Sequence, residues 1–165
     1  MRTLCVALSG AVLLALAGLT MAEERADFAV SDFSFRDTSG ETRDQSAEHA
    51  ARLRAFNAIL RSELSDSGAF TPVALDCGTA ACSIGAQGIG ALAERARRAE
   101  ARYLLVGEVH KMSTLVGWVR FAVLDLDKDA SVCDRFLTYR GDTDEAWRRA
   151  AAYTVRDLGR YCRFK

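Results

Sequence analysis

Four of the five cysteines and the two histidines carry most of the chemistry this chain could do. Cys77 and Cys82 have four residues between them, while Cys133 and Cys162 stand far from both. With His49 and His110 they are the available soft metal ligands. The histidines are isolated in the sequence, and the Cys77 to Cys82 spacing is wider than the tight pairs that hold zinc. No metal and no cofactor is expected. A thiol-redox centre typically uses Cys-X-X-Cys at a helix start; the wider spacing favours a structural bridge, with a redox accessory role through Cys77 and Cys82 as the alternative. Four cysteines allow three pairings. A local bridge closes Gly78-Thr79-Ala80-Ala81 between Cys77 and Cys82. The remaining one then ties Cys133 to Cys162 around a loop of about 30 residues, worth on the order of 3 kcal/mol in the chain-entropy description.

Nucleophilic catalysis has less to stand on. Ser113 follows His110 and Lys111 closely, but on a strand those two point to opposite faces, and spacing supplies no third orienting group. Gly85-Ala86-Gln87-Gly88-Ile89-Gly90 precedes a helix as a phosphate loop does, yet lacks the lysine and the preceding parallel strand. The sequence is therefore not read as that of an enzyme. One cluster stands out: Arg140-Gly141-Asp142-Thr143-Asp144, leading to Trp147. Arg140 can make bidentate contacts. Asp142 is placed to cap a helix, with Glu145 reaching back, and Asp144 favours the helix's positive end. Arg140, Asp142, Asp144 and Trp147 read as a sheet-to-helix junction with Trp147 in the core; the functional alternative is that this junction forms an interaction surface with Lys111, Ser113 and the Asp37-Thr38-Ser39 loop. A small-ligand site near Arg140 is a weaker option.

The elements that must position these residues centre on 103–143. Residues 103–109 are apolar at almost every position, as in a strand covered on both faces. A longer alternating strand spans 114–126, with Leu115, Val119, Phe121 and Val123 on one side and Val116, Trp118, Ala122 and Leu124 on the other. An Asp-rich turn at 127–130 leads to a third strand over 132–139. Upstream, 28–35 reads as one strand with a bulge or strand end near Asp32. A helix over 44–65 follows, with Leu53, Phe56, Leu60 and Leu64 at helical spacing and Thr42 with Gln45 as a capping box. A short strand over 70–75 carries Pro72 near its start or on a sheet edge. Residues 77–85 read as a loop, 89–99 as a second helix and 143–162 as the last. The expectation is an α/β fold: a mixed sheet of about five strands with three helices, in the order β-α-β-α-β-β-β-α.

Residues 1–22 read as a signal peptide. Arg2 is followed by an apolar stretch, with small residues at Thr20 and Ala22 before the expected cut. That stretch is short for a spanning helix, so no stable membrane insertion is expected after cleavage. Nor is a lipid anchor, since Cys5 leaves with the leader. Residues 23–165 then form a single domain of 143 residues, a size that buries a real core. Losing Arg2 turns 22 basic and 22 acidic residues into a net charge of −1. That balance does not call for nucleic acid. An even number of remaining cysteines agrees with export to an oxidising space.

Several pieces resemble a family of small secreted bacterial proteins of unknown function. They are Asp32-Phe33 with Asp37-Thr38-Ser39, the Cys77 and Cys82 pair, the run from Ala101 to Gly107, Lys111-Met112-Ser113-Thr114-Leu115, and the run from Arg140 to Arg149. The order of elements is similar to the amino-terminal domain of TolB and related periplasmic lipoprotein domains. The resemblance implies an α/β module of the periplasm that binds another envelope protein. It implies no activity.

Overall fold

The computed structural model describes residues 26–164. The leader predicted for residues 1–22 lies outside the described residues. Among the described residues six strands and four helices follow the expected α/β pattern. They are β1 (Ala26–Val30), β2 (Ser34–Asp37), α1 (Ser46–Asp66), β3 (Phe70–Val73), α2 (Ile84–Gln87), α3 (Ile89–Arg98), β4 (Tyr103–Lys111), β5 (Val116–Asp125), β6 (Ala130–Arg140) and α4 (Asp144–Tyr161). The sheet is mixed, in the order β3-β1-β4-β5-β6, with β2 continuing beside β4. The strands β1, β2 and β3 run parallel to their neighbours, whereas β4, β5 and β6 form an antiparallel meander. Among the described residues no helix is long and apolar enough to cross a membrane.

Two differences from the sequence reading have physical causes. The single strand expected over 28–35 is two strands, because after Ser31, whose amide still donates to the Leu105 carbonyl of β4 at 2.9 Å, Asp32 and Phe33 leave the sheet to satisfy other partners. The Asp32 amide donates to the Cys82 carbonyl at 2.7 Å, the Asp32 carboxylate accepts from the Cys82 amide at 3.1 Å, and the Phe33 amide donates to Asn57 Oδ1 at 2.9 Å. The turn drives Phe33 into the core, where its ring lies against Gly107. A methyl group at Gly107 would sit inside van der Waals distance of that ring. Gly107→Ala is therefore expected to cost about 1–3 kcal/mol by overpacking, read as a lower urea midpoint; an unchanged midpoint would mean that the ring can move aside freely. The second difference is α2, a single helical turn where a loop was expected, started by Ser83 Oγ accepting from the Ala86 amide at 3.3 Å.

The helices cover the two faces of the sheet unequally. On one face α1 and α4 pack over Phe28, Phe33, Leu105, Val109, Val119, Phe121 and Val123, with Phe56, Leu60 and Trp147 from the helices. On the other, α3 sets Leu92, Ala93 and Ala96 against Ala29, Leu104 and Val106. The expected alternation in β5 holds: Val119, Phe121 and Val123 are buried, while Ala122 and Leu124 face α3. Leu115, read on the same side as Val119, Phe121 and Val123, lies outside β5 and is 70% exposed. Both disulfides form, Cys77–Cys82 and Cys133–Cys162. The second joins β6 to the residue that ends α4.

Candidate functional site

The carboxyl ends of β2 and β4, the start of α1 and the β6–α4 junction meet at one place, and most of the singled-out residues meet there. Asp37 ends β2, Lys111 ends β4, and Asp142 and Asp144 flank the start of α4. Lys111 is 1% exposed. Its three ammonium hydrogens have three acceptors: Glu41, close by; Gln45 Oε1 at 2.5 Å; and Asp142 Oδ2 at 3.0 Å. Asp37 Oδ2 lies a little farther, at 3.7 Å.

Asp142 is the hub. Its Oδ1 accepts from the Trp147 indole at 3.0 Å and from Arg52 at 3.1 Å. Its Oδ2 accepts from His49 Nε2 at 2.9 Å and from Lys111. A carboxylate offers about four lone-pair positions, and all four are taken. Burial alone would push the Asp142 carboxyl up. Hydrogen bonds from His49, Lys111 and Trp147 outweigh it and hold the carboxyl at about 2. Burial would likewise push Lys111 down, but hydrogen bonds to Glu41 and Asp142 hold it above the usual lysine range. For Asp37 burial also acts upward and is outweighed by the Ser39 hydrogen bonds and the Lys111 charge, leaving it below the usual carboxylate range.

A filled set of partners is poor ground for chemistry. An acid–base group needs a free lone pair or proton aimed at a substrate, and a metal ligand needs an unshared one. Lys111 and Asp142 spend theirs on each other, on Glu41 and Gln45, on His49 and Arg52 of α1 and on Trp147 of α4. The arrangement can do something else: it ties β2, β4, α1 and α4 together through a satisfied polar network inside the fold.

The remaining singled-out residues divide by position. Lys111 and Trp147 are interior, 1% and 2% exposed; Trp147 sits in the core as the junction reading has it, whereas Lys111, grouped with the surface residues in the sequence reading, is buried among its partners. Asp142 does not cap α4 as expected. Thr143 does, its Oγ1 accepting from the Ala146 amide at 3.2 Å, because the Asp142 carboxylate is turned inward. The capping box of Thr42 with Gln45 is absent for a similar reason: Gln45 is the residue before α1 but its side chain goes to Lys111. Asp37 accepts from the Ser39 amide at 2.8 Å, and Thr38 Oγ1 lies 2.6 Å from His110 Nε2 on the outer face. Ser113 Oγ accepts from the Leu115 and Val116 amides and shapes the β4–β5 hairpin. Asp144 is exposed and bonded to Arg52 at 2.8 Å. Arg140 is exposed.

Sequence reasoning missed His49, Glu41, Gln45 and Arg52. His49 is isolated in the sequence, yet it is 4% exposed and bonded to Asp142. A signal for it existed: it stands four residues before Leu53 and seven before Phe56, on the stripe that α1 buries. Glu41 and Gln45 come from an irregular loop and left no periodic trace.

A family model described as a protein of unknown function (DUF2380), DUF3280, matches residues 26–158. The chain belongs to the DUF3280 family. No curated protein matches this DUF3280 member by sequence. Among solved structures it is similar to the PelC dodecamer from Paraburkholderia phytofirmans, at 18% identity and a TM-score of 0.53 over 81% of this chain and 87% of that one. It is similar to TolB from Acinetobacter baumannii, at 16% identity and a TM-score of 0.50, over 83% of this chain but 28% of TolB. A hypothetical protein from Chlamydia trachomatis aligns at 11% identity and a TM-score of 0.54, covering 84% and 98% of the two chains. At these identities the likeness establishes the fold, and the TolB-like order read from the sequence is present in it.

Proposed function

We propose that this DUF3280 protein is an exported, non-enzymatic accessory module that works in the periplasm by holding a rigid surface against another envelope protein. The observation that carries the reading is the closed network around Asp142 and Lys111. The strand-end position where α/β proteins commonly place reactive groups is here occupied by side chains bonded to one another. Support also comes from the relatives of the fold, one of which is described as a dodecamer, so this architecture can present a surface to other chains. Two disulfides agree with an oxidising compartment.

The redox alternative through Cys77 and Cys82 has less support, because the two cysteines have four residues between them rather than the Cys-X-X-Cys spacing of thiol-redox centres, although Cys82 is only half-buried. The accessory reading is tested by crosslinking the exported protein in intact periplasm and identifying the adducts by mass spectrometry. A discrete adduct with one envelope protein is expected. A chain that stays monomeric, captures nothing, or is found in the cytosol with its leader attached overturns the reading.

A further inference from the structure

The strand β6 ends the sheet, and among the described residues nothing pairs with its outer edge along its 11 residues. Such an edge presents backbone donors and acceptors at the repeat of another extended chain. Beside it, between β6 and α4, lies a groove of about 290 Å³. Its floor is apolar, from Leu137 and Ala150, and its rim carries Arg140, Arg149, Tyr153 and Arg156. The last three are spaced by four and then three residues along α4, so they share one face.

The rim arginines are short of carboxylates. Among the described residues Arg140 and Arg156 have no ion pair, and the Arg156 guanidinium rests over the Tyr153 ring at 5.7 Å. Arg149 reaches Glu145 only at 4.0 Å, and Glu145 is held by Arg148 at 2.7 Å. The other acids nearby are equally committed: Asp157 to Arg135 at 2.7 Å, Asp134 to Arg120 at 2.8 Å, Asp144 to Arg52 at 2.8 Å. In a chain with equal numbers of acidic and basic residues, this is a local excess of positive charge lined up with a free strand edge. Both ends of the groove are fixed, by Cys133–Cys162 at one and by the Asp142–Trp147 bond at the other. A preformed groove loses little entropy when filled.

We propose that this groove receives an extended acidic segment of a partner polypeptide, which adds as a strand to the β6 edge and sets its carboxylates against Arg140, Arg149 and Arg156. The proposal rests on the accessory reading above and supplies the surface and the partner's chemistry. A polypeptide is favoured over other polyanions because it alone matches the backbone edge as well as the charge.

The test titrates the intact protein with a fluorescent alternating Glu-Thr peptide. Controls are an alternating Lys-Thr peptide, a single-stranded oligonucleotide and phosphatidylglycerol vesicles. The acidic peptide is expected to bind, to move the backbone amide signals of β6, and to lose about tenfold or more in affinity in the Arg140→Glu/Arg149→Glu/Arg156→Glu variant. An Arg→Gln variant at the same three positions, with unchanged melting, should fall between. No binding, binding untouched by the reversal, or equal binding of the oligonucleotide or the vesicles overturns the proposal. The crosslinking experiment separates the two readings. A partner captured by the unaltered protein and equally by the charge-reversed one overturns the groove and leaves the accessory role standing; no partner for the unaltered protein removes both.

Discussion

Asp142→Ala is expected to destabilise the fold by about 3–5 kcal/mol, the range for breaking one member out of a buried ion network. The change strips acceptors from four donors at once: Trp147 Nε1, Arg52, His49 Nε2 and Lys111. Trp147 and His49 are 2% and 4% exposed, so water cannot readily replace what they lose. Lys111→Met is expected to cost less than Asp142→Ala, because Asp142 keeps three donors while Glu41, which is 22% exposed at its side chain, can turn to solvent. The two changes together should cost clearly less than their sum, since the groups share a bond. Urea unfolding of the three variants measures all of this. If each single change costs under about 1 kcal/mol, the range of exposed pairs, the cluster is not a lock. Its side chains would then be free for a ligand, and the case against chemistry at the strand ends would lose its basis.

The same carboxyl sets the acid limit of stability. Its folded value of about 2 lies below the ordinary 3.8, so folding favours the ionised form. The stabilisation is complete above about pH 4 and is lost as pH falls towards 2, and the gap amounts to about 2 kcal/mol. Lys111 acts with the opposite sign: held above its ordinary 10.5, it contributes below that pH and its contribution fades as the medium becomes more alkaline. The unfolding midpoint should fall between pH 4 and 2 in the unaltered protein, and more shallowly in Asp142→Asn, which starts lower at neutral pH.

The sheet was legible because its signals are local and periodic. The apolar run from Tyr103 and the alternation through Val119, Phe121 and Val123 need only nearest-neighbour geometry to be read. The polar network was half legible. A core place for Trp147 is legible from its junction, but Asp37, Lys111 and Asp142 group with it in the sequence only as a surface. Sequence pattern treats a lysine or aspartate as solvent-seeking, since burial is stable only when partners are supplied. Here the partners come from Glu41, Gln45, His49 and Arg52. Two of those four sit in a loop with no period, and all are far in sequence from Lys111. The cap of α4 was misassigned for the same reason: Asp142 and Thr143 are both good caps locally, and only the distant His49 and Lys111 decide that Asp142 turns inward. The β6 edge was also hidden, because strand order is a property of the assembled sheet.

The Cys133–Cys162 bridge should dominate the response to reductant. It spans a sequence separation of 29 residues, against 5 for Cys77–Cys82. In the chain-entropy description that gives about 3–4 kcal/mol for the long loop and about 2 kcal/mol for the short one. Replacing Cys133 and Cys162 with Ser is thus expected to lower the melting temperature by roughly 10 °C, and Cys77 with Cys82 by about half of that. Calorimetry of both double variants, each with and without reductant, separates the contributions. Equal melting of the Cys133→Ser/Cys162→Ser variant and the unaltered protein would show that the bridge adds nothing. Position makes the effect more than a stability term. Cys162 ends α4 and Cys133 lies within β6, so opening this bond frees the end of the helix that carries Arg149, Tyr153 and Arg156. A reduced chain should therefore lose the proposed acidic-strand groove before it loses the Asp142 lock at the other end of the helix. The peptide affinity should drop under reductant at temperatures where far-ultraviolet circular dichroism still reports a folded sheet.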